Sequence, residues 1–313
     1  MKFSSDDWAL ILGGSSGFGL ATAKKLASHG MSICVVHRDR RGAMSRIEPE
    51  FDGIRATGAK LVTKNADALD TAVRAEILQE LTGEMGAAGR VRVLLHSVAL
   101  GNLKLIAPER RSSHEAVAAL ASELGIEGEK LSEAVDRLFE GGLDEFNTLA
   151  SPPDYPSSAF LEDEDFARTI HSMGTSLLSW TQDVLARGLF AEDARVFGLT
   201  SEGNTVAWKG YAAVAAAKVA LESVSRTMAV ELAPYGIRSN VIQAGITETP
   251  ALRAIPGSGH LKAQARLRNP FHRLTTPQDV ANVICLLSTK EASWINGEVI
   301  RVDGGEHISG AAS

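Results

Sequence analysis

The chain has 313 residues, 44% of them hydrophobic and 22% charged, which supplies a full-sized core and excludes a disordered or disulfide-stapled chain. Lys and Arg number 32 against 38 Asp and Glu; the net charge of −6 argues against nucleic-acid binding. Cys34 and Cys285 lie in apolar runs at no metal-ligand spacing, the start around Asp6 and Asp7 lacks the form of a signal peptide, and no uncharged apolar run reaches the length of a membrane span, so a soluble, cytoplasmic protein without a metal site is expected.

Short apolar runs alternate with helical patterns, which predicts an α/β fold: a doubly wound Rossmann parallel sheet of about seven strands, in one domain over 1–313. The first strand covers 9–12 and runs into Gly13-Gly14-Ser15-Ser16-Gly17-Phe18-Gly19. A helical pattern over 20–29 stops at Gly30, and further strands are predicted at 32–36, 60–62 and 91–95. The chain then departs from the alternation for about a hundred residues, far more than a crossover helix needs. Helical periodicity at 114–124 and 130–139, then the loop Ser151-Pro152-Pro153-Asp154-Tyr155-Pro156-Ser157-Ser158, predict a helical insertion over 103–165, ending at the acidic run 162–165. This insertion reads either as a surface elaboration or oligomer contact, or as a substrate lid or carrier-protein contact. Strands follow at 195–199, around Val241-Ile242 and at Val299–Val302. Between them an Ala-rich helix spans 211–232 up to Pro234, and Thr276-Pro277-Gln278-Asp279 opens another with an N-cap and an N1 proline.

The glycine cluster has a physical task. A tight turn from strand to helix brings the backbone close to a pyrophosphate, which sits on the N–H groups and positive end of the helix. Here the cluster follows a strand directly and opens a helix, the context a dinucleotide site requires.

The spacing Gly13-x3-Gly17-x-Gly19 resembles the glycine motif of the short-chain dehydrogenase/reductase family, with Leu12 in place of its threonine. Asp67 after the third strand matches the acid that holds the adenine ring, followed by Ala68. Leu94-Leu95-His96-Ser97-Val98-Ala99 stands in the place of the family's Asn-Asn-Ala-Gly, and Ala244-Gly245-Ile246-Thr247-Glu248-Thr249 in that of the Pro-Gly segment around the nicotinamide and phosphates. Val302-Asp303-Gly304-Gly305 matches the family's C-terminal strand end. The resemblance implies cofactor contacts from Gly13, Ser15, Ser16, Gly17, Phe18, Gly19, Asp67, Ala68, Ser97, Val98, Ala99, Lys218, Ala244, Gly245, Ile246, Thr247 and Thr249. After the second strand His37-Arg38-Asp39-Arg40-Arg41 puts a histidine where an NAD enzyme has an acid, and Arg38 suits a 2′-phosphate; NADPH is favoured over NADH, with Asp39 still in reach of the ribose.

The family's usual Tyr-x3-Lys is absent, because Val214 stands four residues before Lys218. Tyr211 precedes Lys218 by seven, a displacement of about one helical turn along the same face. This Tyr-x6-Lys spacing, with the His96-Ser97 pair, resembles the enoyl-acyl-carrier-protein reductase branch. The resemblance implies hydride delivery to the β-carbon of a trans-2-enoyl thioester, the last step of a fatty-acid elongation cycle. Tyr211 then stabilises the developing enolate oxygen, and Lys218 holds the nicotinamide ribose and lowers the tyrosine pKa. Where that branch has a second tyrosine, this chain has Ser201, which is also the serine position of ketone reductases; it serves either reaction or caps the following turn. The tetrad asparagine is not evident, and Ser172-Met173 falls about there.

Arg253, His260, Lys262, Arg266 and Arg268 form either a docking patch for an acidic acyl carrier protein or a solvated helix face. The leucine-rich residues among them (Leu252, Ile255, Leu261, Leu267) suit an acyl channel, and carrier protein and CoA both stay open as the thioester partner. A β-ketoacyl or other carbonyl reductase, and a dinucleotide-binding regulatory protein without catalysis, are the alternatives. Family members assemble through the long helix, so a homotetramer or homodimer is implied, with the face 212–220 either packing between subunits or against the sheet.

Overall fold

The computed structural model describes residues 2–109, 115–155 and 159–310. Its first half runs β1 (Asp7–Leu12), α1 (Gly17–Ser28), β2 (Ser32–His37), α2 (Met44–Arg55), β3 (Leu61–Asn65), α3 (Thr71–Met85) and β4 (Arg90–His96). Four helices, α4 (Glu115–Leu124), α5 (Gly128–Glu140), α6 (Asp163–Ile170) and α7 (Ser176–Ala186), precede β5 (Phe190–Ser201). Then follow α8 (Ala212–Glu231), β6 (Ile237–Ala244), α9 (Pro250–Arg253), α10 (Ser258–Arg268), α11 (Pro277–Leu287) and β7 (Val299–Val302).

The seven strands lie in the order β3-β2-β1-β4-β5-β6-β7, all parallel, the doubly wound sheet expected from the alternation. Alternate residues of β1 feed two cores. Leu10 and Leu12 pack with Leu81, Trp180 and Leu221 from α3, α7 and α8, while Ala9 and Ile11 pack with Leu26, Phe51 and Ile284 from α1, α2 and α11. Strand order reverses between β1 and β4, so their carboxyl ends diverge into a crevice.

Two strands extend beyond their apolar runs because their charged residues are partnered. β5 begins at Phe190 and β6 at Ile237, not at the apolar centres. The carboxylate of Asp193 takes Arg195 at 2.6 Å, Arg238 at 2.8 Å and Arg92 at 3.0 Å. The same guanidinium groups donate to Leu287, Ser293 and Ser288 carbonyls at and beyond the end of α11, where positive charge complements the helix dipole. β3, at the edge of the sheet and paired only with β2, likewise runs on to Asn65 through polar residues that are half-buried.

Helix ends follow local chemistry. Thr276 and Asp279 exchange the expected capping-box bonds, Thr276 Oγ1 accepting from the Asp279 amide at 3.2 Å and Asp279 accepting from the Thr276 amide at 2.9 Å. Gly30, at φ +94°, terminates α1. The acidic run does more than end a connector: Glu162 and Asp165 form a capping box that opens α6. Two helices of the predicted insertion are present as α4 and α5, although His114 of the first and Pro156, Ser157 and Ser158 of the loop lie outside the described residues. No described helix is long and apolar enough to cross a membrane.

Candidate active site

At the carboxyl ends of β1, β4, β5 and β6 a cleft opens between the glycine turn, the start of α8 and the α9–α10 segment. Gly13 has φ +84°, and a Cβ there would stand 2.4 Å from the Ser97 carbonyl oxygen. A Cβ on Gly19 would stand 2.2 Å from the Gly13 oxygen, so only glycine allows strand, turn and helix to close up. Ser16 makes no side-chain cap and the first turn of α1 holds no acid, which leaves the helix N–H groups and the positive end of its dipole for an anion. The cradle fits a dinucleotide pyrophosphate.

Of the expected cofactor residues, Gly13, Ser16, Gly17, Phe18, Ser97, Val98, Ala99, Lys218, Ala244, Gly245, Ile246, Thr247 and Thr249 line this cleft. Ser15, in the turn, and Gly19, in the first turn of α1, do not line it. Arg38, Asp67 and Ala68 stand apart, beyond β2 and β3, and are engaged with protein groups. Arg38 Nη1 donates to Asp67 Oδ2 at 2.7 Å, and the Ala68 carbonyl accepts from Trp180 Nε1 at 2.8 Å. Asp39 is turned to His37 Nδ1 at 2.9 Å.

Tyr211 stands at the N-cap of α8, not inside the helix as the pattern suggested. Its hydroxyl is 3.5 Å from Ser201 Oγ. Its ring lies so close to Gly203 that a Cβ there would come within 2.5 Å of Cε1. Ser201 makes no capping bond to the turn that follows, so its hydroxyl is left to the cleft rather than spent on local structure. Burial pushes the Tyr211 phenol up, with the Ser201 hydrogen bond alone opposing; the lowering expected from Lys218 is not found. Lys218 is buried, donates from Nζ to the Leu199 carbonyl at 2.8 Å, and is pushed down to about 8 by burial against the pull of Glu222. Val214 is buried against Met173 in the wall of the cleft.

In place of the tetrad asparagine the chain forms a π-helical turn, His171–Thr175. Ser172 Oγ donates to the Leu100 and Thr169 carbonyls, and Ser176 Oγ donates to the Ser172 carbonyl at 3.0 Å while meeting His96 Nε2 at 2.8 Å. Burial, then the charge of Lys218, push His96 down to about 3, so this imidazole is neutral. A Cβ on Gly174 would stand 2.8 Å from the Ala217 carbonyl, so only glycine lets the π-helical turn approach α8 here.

The basic residues of α9–α10 are each partnered within the chain. Arg253 and Lys262 pair with Glu248 at 3.3 and 3.0 Å, Arg266 with Asp144, Arg268 with Glu202, and His260 Nδ1 meets Asn147 Oδ1 at 2.7 Å. Leu252, Ile255 and Leu261 line the cleft as expected; Leu267 is not among its walls. Sequence reasoning missed Glu202, Glu306, Trp208, Leu103 and Met173, which also line it. Glu222 was missed too: it accepts from Thr200 Oγ1 at 2.5 Å and Asn204 Nδ2 at 2.6 Å and so braces the turn that carries Ser201. An acid one turn after Lys218 was the one available signal.

Two family profiles match the chain: "short chain dehydrogenase" over residues 7–123 and "Enoyl-(Acyl carrier protein) reductase" over 128–307. An uncharacterized oxidoreductase of Mycobacterium tuberculosis is 25% identical over 303 residues, covering 96% of this chain and 92% of that protein. The 3-oxoacyl-[acyl-carrier-protein] reductase FabG of Escherichia coli is 30% identical over 148 residues, 47% of this chain and 60% of that one. Among solved structures, the enoyl-[acyl-carrier-protein] reductase (NADH) of Aquifex aeolicus shares the fold at TM-score 0.68 and 23% identity, covering 97% of this chain and 98% of that one. A short chain dehydrogenase of Burkholderia cenocepacia in complex with NADP does so at TM-score 0.67 and 23% identity, covering 96% and 98%.

Proposed function

The chain belongs to the short-chain dehydrogenase/reductase superfamily as an enoyl-acyl-carrier-protein-reductase-like member, and from this premise we propose that it reduces the 2,3 double bond of trans-2-enoyl thioesters, with NADPH in preference to NADH. The observation that carries the reading is the displaced tyrosine. Val214, at the usual position, has no proton to give, whereas the Tyr211 hydroxyl reaches the cleft one turn earlier beside Ser201 Oγ. Such a donor suits a carbonyl whose reacting carbon lies two bonds away, as in an enoyl thioester.

When bound, the dinucleotide supplies hydride for the β-carbon. Tyr211 donates to the thioester oxygen as negative charge gathers there, and Ser201 holds that phenol in line. Because burial raises the phenol pKa, Tyr211 stays protonated through neutral pH and acts as a hydrogen-bond donor. Lys218, anchored on the Leu199 carbonyl, presents its ammonium to the ribose side of the cleft. Leu252, Ile255, Leu261 and Met173 take the acyl chain and exclude water.

The test is NADPH oxidation with a trans-2-enoyl thioester and, in parallel, a β-ketoacyl thioester. Turnover of the enoyl substrate alone supports the reading. Turnover of the ketoacyl substrate alone replaces it with carbonyl reduction through the same Ser201–Tyr211 pair. Cofactor binding with silence on both leaves a regulatory protein.

The alkaline limb of the rate profile follows from Lys218. Its pKa in the folded chain is lowered to about 8, so the ammonium is present below that pH and lost above it. Activity is therefore expected to fall as pH rises through about 8, while the folding penalty of the buried charge is relieved over the same range up to the unfolded value of 10.5. Lys218→Arg keeps a cation there and removes this limb; a profile flat to pH 10 in the unaltered protein is the contrary result.

NADPH preference rests on β2 ending in His37 with Asp39 turned aside, while Arg38 keeps an exposed guanidinium next to Asp67. Arg38→Ala is expected to weaken NADPH by about tenfold or more, the worth of a charge-assisted bond to phosphate, and to leave NADH affinity nearly unchanged. Fluorescence titration with both dinucleotides measures this, and equal losses for the two count against a 2′-phosphate contact.

A further inference from the structure

A second charged cluster lies in the same cleft and has no part in the steps above. Glu202 directly follows Ser201, and Glu306 belongs to the short turn after β7; both carboxylates are buried, Glu306 at 1% exposure. Arg268, the last residue of α10, joins them. Its Nη1 donates to Glu202 Oε1 at 2.8 Å, and its Nη2 bonds both Glu202 Oε2 and, at 3.2 Å, Glu306 Oε1. The other Glu306 oxygen accepts from the Ile246 amide at 3.2 Å and sits so near Gly245 that a Cβ there would come within 2.7 Å of it. One guanidinium thus ties together the end of β5 beside the Ser201–Tyr211 pair, the Gly245–Ile246 loop, and the helix whose Leu261 forms the apolar wall.

We propose that Arg268 is a positioning residue that locks the α9–α10 wall onto the end of β5 and the Gly245–Ile246 loop, so that the acyl-binding wall and the hydride-transfer end of the cleft are held in one geometry. Two buried carboxylates face a single guanidinium. Without it they repel each other, and the C-terminal end of α10 keeps the Asn269 bond to the Asp303 carbonyl at 2.9 Å, while Arg266 and His260 still hold the helix to Asp144 and Asn147 on the other side. The wall is expected to loosen at its end next to β5 and to bind substrate poorly, with the reacting groups on β5 and α8 left in place. The kinetic part of this inference rests on the enoyl-reductase reading; the dynamic part does not.

The experiment is hydrogen exchange read by mass spectrometry on the full chain, with and without NADPH, for Arg268→Gln, Arg268→Lys and the unaltered protein, followed by steady-state kinetics. Amides of 250–268 are expected to exchange about tenfold faster in Arg268→Gln, with those of 237–244 unchanged, and Arg268→Lys to restore most of the protection. KM for the enoyl thioester is expected to rise about tenfold with kcat within about threefold. Unchanged exchange over 250–268, or acceleration spread equally to β6, overturns the proposal. So does a fall in kcat with KM unchanged. Should Arg268→Gln not fold, Glu202→Gln, which weakens the same tie, decides: faster exchange confined to 250–268 supports the lock and unchanged exchange overturns it. Faster local exchange in a protein that turns over no enoyl thioester sinks the reductase reading and leaves the lock standing.

Discussion

Tyr211→Phe is expected to lower kcat for enoyl reduction by about 10²- to 10³-fold, the effect of removing one oxyanion donor, with KM and NADPH affinity within about threefold. The substitution deletes a single oxygen. The ring keeps its seat against Gly203, and the N-cap position asks nothing of the hydroxyl, since Tyr211 makes no side-chain cap to α8. The melting temperature therefore serves as a control and is expected to stay within a few degrees of the parent. The usual tyrosine position offers no rescue. A Cβ on Gly101 would already stand 2.8 Å from Val214 Cγ2 and 2.7 Å from Met173 Sδ, so this part of the wall is closed to a ring, and Tyr211→Phe/Val214→Tyr is expected to be inactive and destabilised. Full turnover by Tyr211→Phe would remove the tyrosine from the reaction altogether.

The sheet was legible in the sequence because each central strand is an apolar run between turn residues, and the glycine turn because its spacing specifies a backbone shape. What composition could not show was pairing across distance. Glu192 and Asp193 fall outside the apolar run at 195–199 and join β5 only because Arg195 of the same strand, with Arg92 of β4 and Arg238 of β6, neutralises Asp193. From sequence alone, docking patch and solvated face both stay open for α9–α10 because the acids that pair with Arg253, Lys262, Arg266 and Arg268 lie elsewhere in the sequence: Glu248 on the loop before α9, Asp144 beyond α5 and Glu202 after β5. Arg38 and Asp67 carry separate expectations, for phosphate and adenine, yet in this structure they bond each other at 2.7 Å, a pairing that sequence position alone does not show. The Tyr211 spacing reads as a shift of one turn along a helix face, but Tyr211 lies at the N-cap, outside the helical backbone, because α8 begins at Ala212.

Gly13→Ala and Gly83→Ala are expected to act in opposite directions, although each adds one methyl group. At Gly13 the backbone is in the left-handed region, φ +84°, and the new Cβ meets the Ser97 oxygen at 2.4 Å and its carbonyl carbon at 2.8 Å. Neither obstacle is a flexible side chain. Strain at positive φ and overpacking each cost about 1–3 kcal/mol, and relieving them means pushing apart the ends of β1 and β4. Those two ends are the floor of the dinucleotide cradle, so stability and cofactor affinity are expected to fall together, affinity by about 100-fold or more. Gly83 lies inside α3, exposed, with nothing within 4 Å of an added Cβ. There alanine gains about 0.8–1 kcal/mol of helix propensity and leaves binding untouched. Thermal melts with and without NADPH separate the two effects. Saturating dinucleotide raises the melting temperature of any variant that binds it, so the NADPH-induced shift is expected to persist in Gly83→Ala and to vanish in Gly13→Ala. A Gly13→Ala protein that keeps the full shift would show that the β1–β4 junction yields without closing the cradle, and that the glycine serves the turn rather than the cofactor.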